Sequence, residues 1–293
     1  MSSPDNPQLE PTVPEPAVED FRAPEPVQLN DPAPDPVLPN LAPAPSPVAP
    51  PPIEDPVFSG WDVLLLALLT FVSMVVFQLA ILLVARRLLY PTLAFSELAN
   101  KPLLLLVSQF LIYLPVAACM VLLVEGKYHV RFWDAIRWNW PQSQWTFVGL
   151  GVLVFFGLLL LESLLPMPKD TPFARLFDRP RDAYLLLILA VAIAPLMEEL
   201  FFRGFLYPVL ARRMGAPWGI VLTALPFGLL HLQQYGWAWS AGLVIFLVGV
   251  VCGVVRATTR SVGASFLVHA AYNATQMLIA VVATHGFTHL GKA

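Results

Sequence analysis

The stretch AYLLLILAVAIAPLMEELFFRGF, residues 183–205, decides how this chain can fold. Its first fifteen residues carry no charge, and Glu198, Glu199 and Arg203 follow directly. On membrane-insertion scales three such charges cost about 8–10 kcal/mol, whereas the apolar residues before them return roughly 5–9 kcal/mol. We therefore expect a transmembrane helix whose charged side chains face protein or a water-filled space rather than lipid.

The composition of the whole chain is that of a membrane protein. Hydrophobic residues make up 57% and charged residues 13% of the 293 positions, which excludes an ordinary soluble domain. We predict an all-α, polytopic transmembrane helical bundle of seven to eight spans, a multi-pass protein of the plasma (inner) membrane. The apolar runs of spanning length lie near 61–85, 102–124, 145–165, 183–211, 217–235, 238–256 and 261–283.

The N-terminal region has a different composition. Residues 1–58 hold eighteen of the thirty prolines and ten acidic residues, and Arg22 is their one basic residue. Proline removes backbone donors, and so little apolar surface cannot offset the entropy of ordering the chain. We predict a disordered, proline- and acid-rich tail over 1–58, followed by one transmembrane domain over 59–290.

Helical spacing distinguishes the two adjacent glutamates. Glu199 and Arg203 are four residues apart with the acid first, the favourable order for an ion pair on one helix face. Glu198 points about 100° away from Glu199 and has no cation at this spacing on its own helix. A structural charge cluster at a helix end is the simpler alternative interpretation of this stretch.

Two later apolar runs contain polar residues at a similar depth. The fifth run contains His231, and the seventh contains His269 and Asn273, which share a helix face because they are four residues apart. We count depth in residues from the basic or proline residues that mark one membrane face. Glu198 and His231 lie fourteen residues from this face, His269 lies nine and Asn273 lies thirteen. At about 1.5 Å per residue the depths are roughly 13–21 Å. Such agreement favours one shared site over scattered core residues.

The three motifs together resemble a known family. EELFFR at Glu198–Arg203, FGLLH at Phe227–His231 and HAAYN at His269–Asn273 are similar, in order, to the EExxxR, FxxxH and HxxxN motifs of the CAAX-protease and bacteriocin-processing (Abi) family. This family of intramembrane proteases includes the Ras-converting CAAX endopeptidases. The resemblance covers roughly residues 145–283. Seven clear runs rather than the eight usual for CAAX enzymes is a departure from the family pattern.

The resemblance implies roles for the four catalytic candidates. Glu198 matches the glutamate that activates a water molecule, and His231 matches its partner in holding that water. His269 and Asn273 match the residues that stabilise the oxyanion of the tetrahedral intermediate. Histidine and asparagine donors act strongly on a developing oxyanion where bulk water is excluded.

The remaining motif residues have supporting roles by the same resemblance. Glu199 and Arg203 match the second acid and the arginine, with a structural or substrate-positioning role, and Phe227 opens the FxxxH motif. A cofactor is left open. One glutamate and two histidines form a catalytic zinc set, and if a metal is present its ligands are Glu198, His231 and His269.

We expect an intramembrane endopeptidase that acts on hydrophobic or lipidated, CAAX-type peptides and has no nucleic-acid partner. A bacteriocin self-immunity protein on the same scaffold is the first alternative. A transporter or proton relay also uses buried Glu, His and Arg side chains, but no internal repeat of the kind typical of transporters is visible.

Overall fold

In a computed structural model of the protein, the described residues are 56–168, 170–176 and 180–287. Nearly all of the predicted tail, residues 1–58, lies outside them. Seven helices of the described residues are long and apolar enough to cross a membrane, which confirms the predicted runs. No strand and no eighth span occur in these residues. The spans are Gly60–Leu88, Pro102–Lys127, Gln144–Glu162, Asp182–Met214, Ala216–Tyr235, Trp239–Thr259 and Val262–Ala283.

Several spans consist of more than one segment. π-Helical turns extend or interrupt two of them, at Leu122–Lys127, Leu189–Ile193 and Leu200–Leu206, and a 3₁₀ turn at Leu232–Tyr235 ends a third. The α-helical segments are α1 Gly60–Leu88, α2 Phe95–Ala99, α3 Pro102–Val121, α4 Phe132–Ala135, α5 Gln144–Glu162, α6 Pro172–Arg175, α7 Pro180–Ile188, α8 Ala194–Glu199, α9 Tyr207–Met214, α10 Ala216–His231, α11 Trp239–Thr259 and α12 Val262–Ala283.

The span Asp182–Met214, here called the motif helix, carries Glu198, Glu199 and Arg203. Prolines explain its two π-helical turns. Proline lacks an amide hydrogen, and its ring collides with the carbonyl four residues earlier. Pro195 follows the turn Leu189–Ile193 and Pro208 follows the turn Leu200–Leu206, so each turn contains the carbonyl that the proline ring would meet. Such turns are frequent at functional sites.

The motif helix is the central helix of the bundle. Its segments contact α1, α3, α10, α11 and α12, so its side chains meet neighbours on most sides. Glu199 and Arg203 are fully buried among these helices. The expectation that the charged side chains face protein rather than lipid is therefore confirmed for both of them.

Small residues set the distances between the neighbouring helices. Gly151 of α5 lies so close to α12 that a Cβ atom there would collide with the Val268 carbonyl oxygen. On α11, Cβ atoms at Gly249 and Gly253 would stand 3.1 Å and 2.9 Å from side chains of α10. These contacts hold α5 against α12 and α10 against α11.

One membrane face is marked by contacts at the N-terminus of α1, and we call it the α1 face. The Arg212 side chain donates to the Pro56 carbonyl oxygen at 3.2 Å, and Lys127 forms a 2.6 Å ion pair with Asp62. Tyr128 donates to the same Asp62 carboxylate. The motif helix, α1 and the end of the second span therefore meet at this face.

Candidate active site

Two histidines from different helices approach the Glu198 carboxylate. His231, the last residue of α10, has its Nε2 atom 3.8 Å from Glu198 Oε1. His269 of α12 has its Nε2 atom 3.6 Å from Glu198 Oε2. Both separations are longer than a direct hydrogen bond, and one small bound species between the groups is compatible with them. The structure thus brings together three of the four predicted catalytic residues.

The adjacent glutamates differ in accessibility. The Glu198 side chain is 21% exposed and that of His231 is 20% exposed, whereas Glu199 and Arg203 are 0% exposed. A substrate or a water molecule can therefore reach Glu198 and His231. The Glu199 carboxylate is sealed inside the bundle.

Glu199 is the centre of a buried network rather than half of a simple pair. Its Oε1 atom accepts from Arg203 Nη1 at 2.8 Å, which confirms the predicted i,i+4 ion pair. The same oxygen lies 3.0 Å from His269 Nδ1, and the Ser265 hydroxyl donates to Oε2 at 2.5 Å. Arg203 also donates to the Gly249 carbonyl oxygen at 2.8 Å. Glu199 therefore anchors α12 to the motif helix, and its partner Arg203 anchors α11.

Hydrogen bonds at the Nδ1 atoms fix the orientation of both imidazole rings. His231 Nδ1 lies 2.7 Å from the Phe227 carbonyl oxygen, which can only accept. His269 Nδ1 faces the Glu199 carboxylate, which also accepts. Each Nδ1 atom must then carry a hydrogen, so each neutral ring presents an Nε2 lone pair to Glu198. The site is rich in acceptors and can bind a species that offers protons or positive charge.

Phe227 supports the two histidines by packing. Its ring centroid lies 4.9 Å from that of His231 and 5.6 Å from that of His269, with an edge-on approach to the latter. The Arg203 guanidinium stands over the same ring at 4.8 Å. A buried aromatic ring here limits the rotation of both imidazoles and shields the ion pair from solvent.

Asn273 contacts the motif helix but at a different point. Its amide Nδ2 donates to the Ala190 carbonyl oxygen at 2.8 Å, within the π-helical turn Leu189–Ile193. One of its two N–H groups is used in this bond, and the other can still donate. The predicted oxyanion role of Asn273 thus depends on that second N–H.

The chemistry of the residues fits the predicted zinc set. Zinc is commonly held by imidazole nitrogens and a carboxylate, and each ligating imidazole usually donates its other N–H to a carboxylate or carbonyl. His231 and His269 both meet the second condition. The geometry is looser than a closed zinc set, because His231 lies 3.8 Å from Glu198 Oε1 and His269 lies 3.6 Å from the other oxygen, Oε2. Among the described residues, only a different group has ligand atoms that all lie within 4.8 Å of one another.

A second group of metal-binding residue types is unsuitable. Ligand atoms of Glu199, Cys252 and His269 lie within 4.8 Å of one another, and all three residues are buried. The Arg203 guanidinium already neutralises Glu199 at 2.8 Å, and a metal cation there would be repelled by it. This group serves the ion-pair network instead.

Sequence reasoning did not include Ser265 among the site residues. Its hydroxyl contacts Glu199 Oε2 and lies 3.0 Å from the Cys252 carbonyl oxygen. A signal was present, because Ser265, His269 and Asn273 follow one another at intervals of four and share one face of α12. The family motif begins only at His269, so the serine one turn earlier received no role.

A family model matches within the motif-bearing part of the chain. Residues 180–275 match the family model of the Rce1-like, type II CAAX prenyl endopeptidases. The chain is also 32% identical over 126 residues to an uncharacterized 24.3 kDa protein of Escherichia coli. The aligned residues make up 42% of this chain. The chain spans 57% of the length of that relative. No solved structure matches.

Proposed function

We propose that the protein is an intramembrane endopeptidase of the CAAX-protease type, because residues 180–275 match the family model of the Rce1-like, type II CAAX prenyl endopeptidases. It is an integral, multi-pass membrane protein, and we propose peptides at or in the bilayer as its substrates. One observation carries the proposal. An accessible carboxylate, Glu198, faces the Nε2 atoms of two histidines inside a bundle of apolar helices.

The proposed reaction begins with a water molecule between Glu198 and His231. Glu198 accepts a proton from this water as its oxygen attacks the carbonyl carbon of the substrate peptide bond. A tetrahedral intermediate forms, and its negative oxygen needs hydrogen-bond donors. The C–N bond then breaks, and the proton held by Glu198 passes to the leaving amine.

His269 has a distinct part in this scheme. Its Nδ1–H bond to Glu199 holds the ring with Nε2 toward Glu198. To donate to the oxyanion, the role that the family resemblance implies, Nε2 must first take up a proton from solvent, because the proton of the attacking water goes to Glu198. The Glu199–Arg203 pair holds His269 in place and does not exchange protons with the substrate.

A zinc ion at Glu198, His231 and His269 would supply Lewis-acid activation of the water. The two mechanisms predict different results with chelators. Cleavage that survives thorough chelation assigns water activation to the glutamate and histidines alone. A zinc enzyme would instead lose cleavage on chelation and regain it when zinc is added back to the wild type. If the His231→Ala variant also fails to retain zinc, the ion is assigned to these residues.

The direct test is cleavage of defined peptides by purified protein reconstituted in lipid vesicles. The first pair of substrates should be a prenylated peptide with a C-terminal CAAX sequence and the same peptide without the lipid. We expect the lipidated form to be cleaved faster, because it partitions into the bilayer from which the site is reached. Absence of cleavage of both, in folded protein, would contradict a CAAX-type activity. Bacteriocin immunity, the sequence-based alternative, has no support from the family match.

A further inference from the structure

A groove outside the candidate active site lies between α1 and the C-terminal part of the motif helix, at the α1 face. We call it the α1 groove, and it contains a cavity of about 360 Å³. Each helix lines it with residues three or four apart, which share one helix face. The lining includes Trp61, Val63 and Leu64 of α1 and Leu206, Leu210 and Arg213 of the motif helix.

Arg213 places a positive charge at the surface end of the α1 groove. It is exposed, and its guanidinium reaches across to α1, since a Cβ atom built on Gly60 would stand 3.5 Å from its Nη2 atom. Asp62, the acidic residue in the first turn of α1, is already bound by Lys127 and Tyr128. Among the described residues, no carboxylate lies within ion-pair distance of Arg213. Its charge is therefore available to a ligand.

The start of α1 favours an anion at the same point. The first turn of a helix presents backbone N–H groups without intrahelical partners and the positive end of the helix dipole. Lys127 neutralises Asp62 there, so the Arg213 guanidinium adds to the positive potential. A guanidinium binds a phosphate group through two parallel hydrogen bonds.

The remainder of the α1 groove is apolar and faces the bilayer. Leu64 is 56% exposed and Trp61 is 78% exposed, although both lie in a membrane span. A gap in such a surface loses dispersion contacts unless an apolar chain fills it. Tryptophan is typical of the level at which lipid headgroups meet acyl chains. A charge at one end and apolar walls along the rest correspond to the two parts of a phospholipid.

We propose that the α1 groove binds one anionic phospholipid, whose phosphate contacts Arg213 and whose acyl chain lies between α1 and the motif helix. Lipid tails are as apolar as leucine, so the walls of the groove do not distinguish one lipid from another, whereas the charge of the headgroup does. Basic pockets between membrane helices bind anionic headgroups for the same reason. Because α1 packs mainly against α3, the lipid strengthens its attachment to the motif helix. The inference does not depend on the proposed endopeptidase function.

The test is thermal unfolding of the full-length protein in detergent during titration with phosphatidylglycerol, an anionic phospholipid. A ligand that binds the folded state raises the melting temperature by mass action. We expect this rise with phosphatidylglycerol, and little effect of zwitterionic phosphatidylcholine or of inorganic phosphate at the same concentration. In Arg213→Gln the half-saturating concentration of phosphatidylglycerol should increase about fivefold, the factor for one cation near anionic headgroups. Arg213→Lys should retain most of the binding. Arg87→Gln is the matched control, because Arg87 is an exposed arginine at the other end of α1, and it should bind as the wild type does.

The apolar part of the groove is tested by two tryptophan variants of α1. Leu64→Trp narrows the groove, whereas Leu68→Trp changes a residue of nearly equal exposure, 57%, that lies one turn deeper and outside the lining. Only Leu64→Trp should weaken the effect of phosphatidylglycerol. Equal stabilisation by phosphatidylcholine or by inorganic phosphate would overturn the proposal, as would equal behaviour of the two tryptophan variants. A dimer that Leu64→Trp dissociates, with no dependence of melting on phosphatidylglycerol, would assign the groove to a second copy of the chain and also overturn it.

Discussion

The two adjacent glutamates should respond differently to replacement by glutamine. Glu198→Gln should lower activity and leave stability nearly unchanged, whereas Glu199→Gln should mainly lower stability. Glu198 is partly exposed, and its closest histidine nitrogen lies 3.6 Å away, so Glu198→Gln should leave the free energy of unfolding nearly unchanged. The amide is nearly isosteric but cannot accept the proton of the water. A general base contributes about 10²–10⁴-fold, so we expect kcat to fall at least by this factor.

Glu199→Gln should act on stability. The Glu199 carboxylate accepts from Arg203, His269 and Ser265, and it uses both oxygens to do so. An amide in the better orientation keeps its oxygen toward Arg203 and His269, and its NH₂ group can donate to Ser265 Oγ, whose hydroxyl can turn to the Cys252 carbonyl oxygen. The buried guanidinium also loses its counter-charge. Breaking a buried ion pair from one side typically costs about 3–5 kcal/mol, and we expect a lower melting temperature and lower yield.

The double variant Glu199→Gln with Arg203→Leu tests the cause of that loss. It leaves no buried charge without a partner, so part of the stability should return. Recovery should be incomplete, because the Gly249 carbonyl oxygen loses the Arg203 donor. The assays are thermal melting in detergent and cleavage of a reporter peptide for all variants. If Glu198→Gln cleaves normally while Glu199→Gln is stable and inactive, the base is assigned to the wrong glutamate.

Three further outcomes can be measured with the same protein. Gly151→Ala should lower the melting temperature, since overpacking of a close helix contact typically costs about 1–3 kcal/mol, while Gly157→Ala on the same helix meets open space and should be neutral or slightly stabilising. Ser265→Ala removes one donor to Glu199 and should cost about 1–3 kcal/mol while cleavage per folded molecule changes little; a tenfold fall in kcat at unchanged stability would contradict this. Limited proteolysis should remove roughly the first 55 residues and leave the transmembrane domain intact, and a protease-resistant tail would contradict the predicted disorder.

The sequence alone was sufficient to predict the seven membrane-spanning helices. A bilayer forces each spanning segment to satisfy its own backbone and to be apolar over about twenty residues, so local composition determines where helices run. The Glu199–Arg203 pair was also predictable, because a spacing of four is a property of one helix. Motif order gave the resemblance to the CAAX-protease family, and depth counting placed Glu198 and the two histidines at similar depths.

The accessibility of the two glutamates was decided by tertiary structure. Spacing separates Glu198 from Glu199 by about 100°, but it does not say which direction is open. The 21% and 0% exposures follow from how α11 and α12 close over one face of the motif helix. The bridging position of His269, between Glu198 and Glu199, has the same origin.

Contacts between helices depend on rotation and separation, which local composition does not encode. Ser265 reaches Glu199 because α12 packs against the motif helix. Glycine contacts such as Gly151 against α12 set distances to within an ångström, and a change of that size would break the hydrogen bonds of the site. The residue types of the site and their depths in the membrane could therefore be predicted from the sequence. Their hydrogen-bond and ion-pair partners on other helices were determined by the packing of the helices.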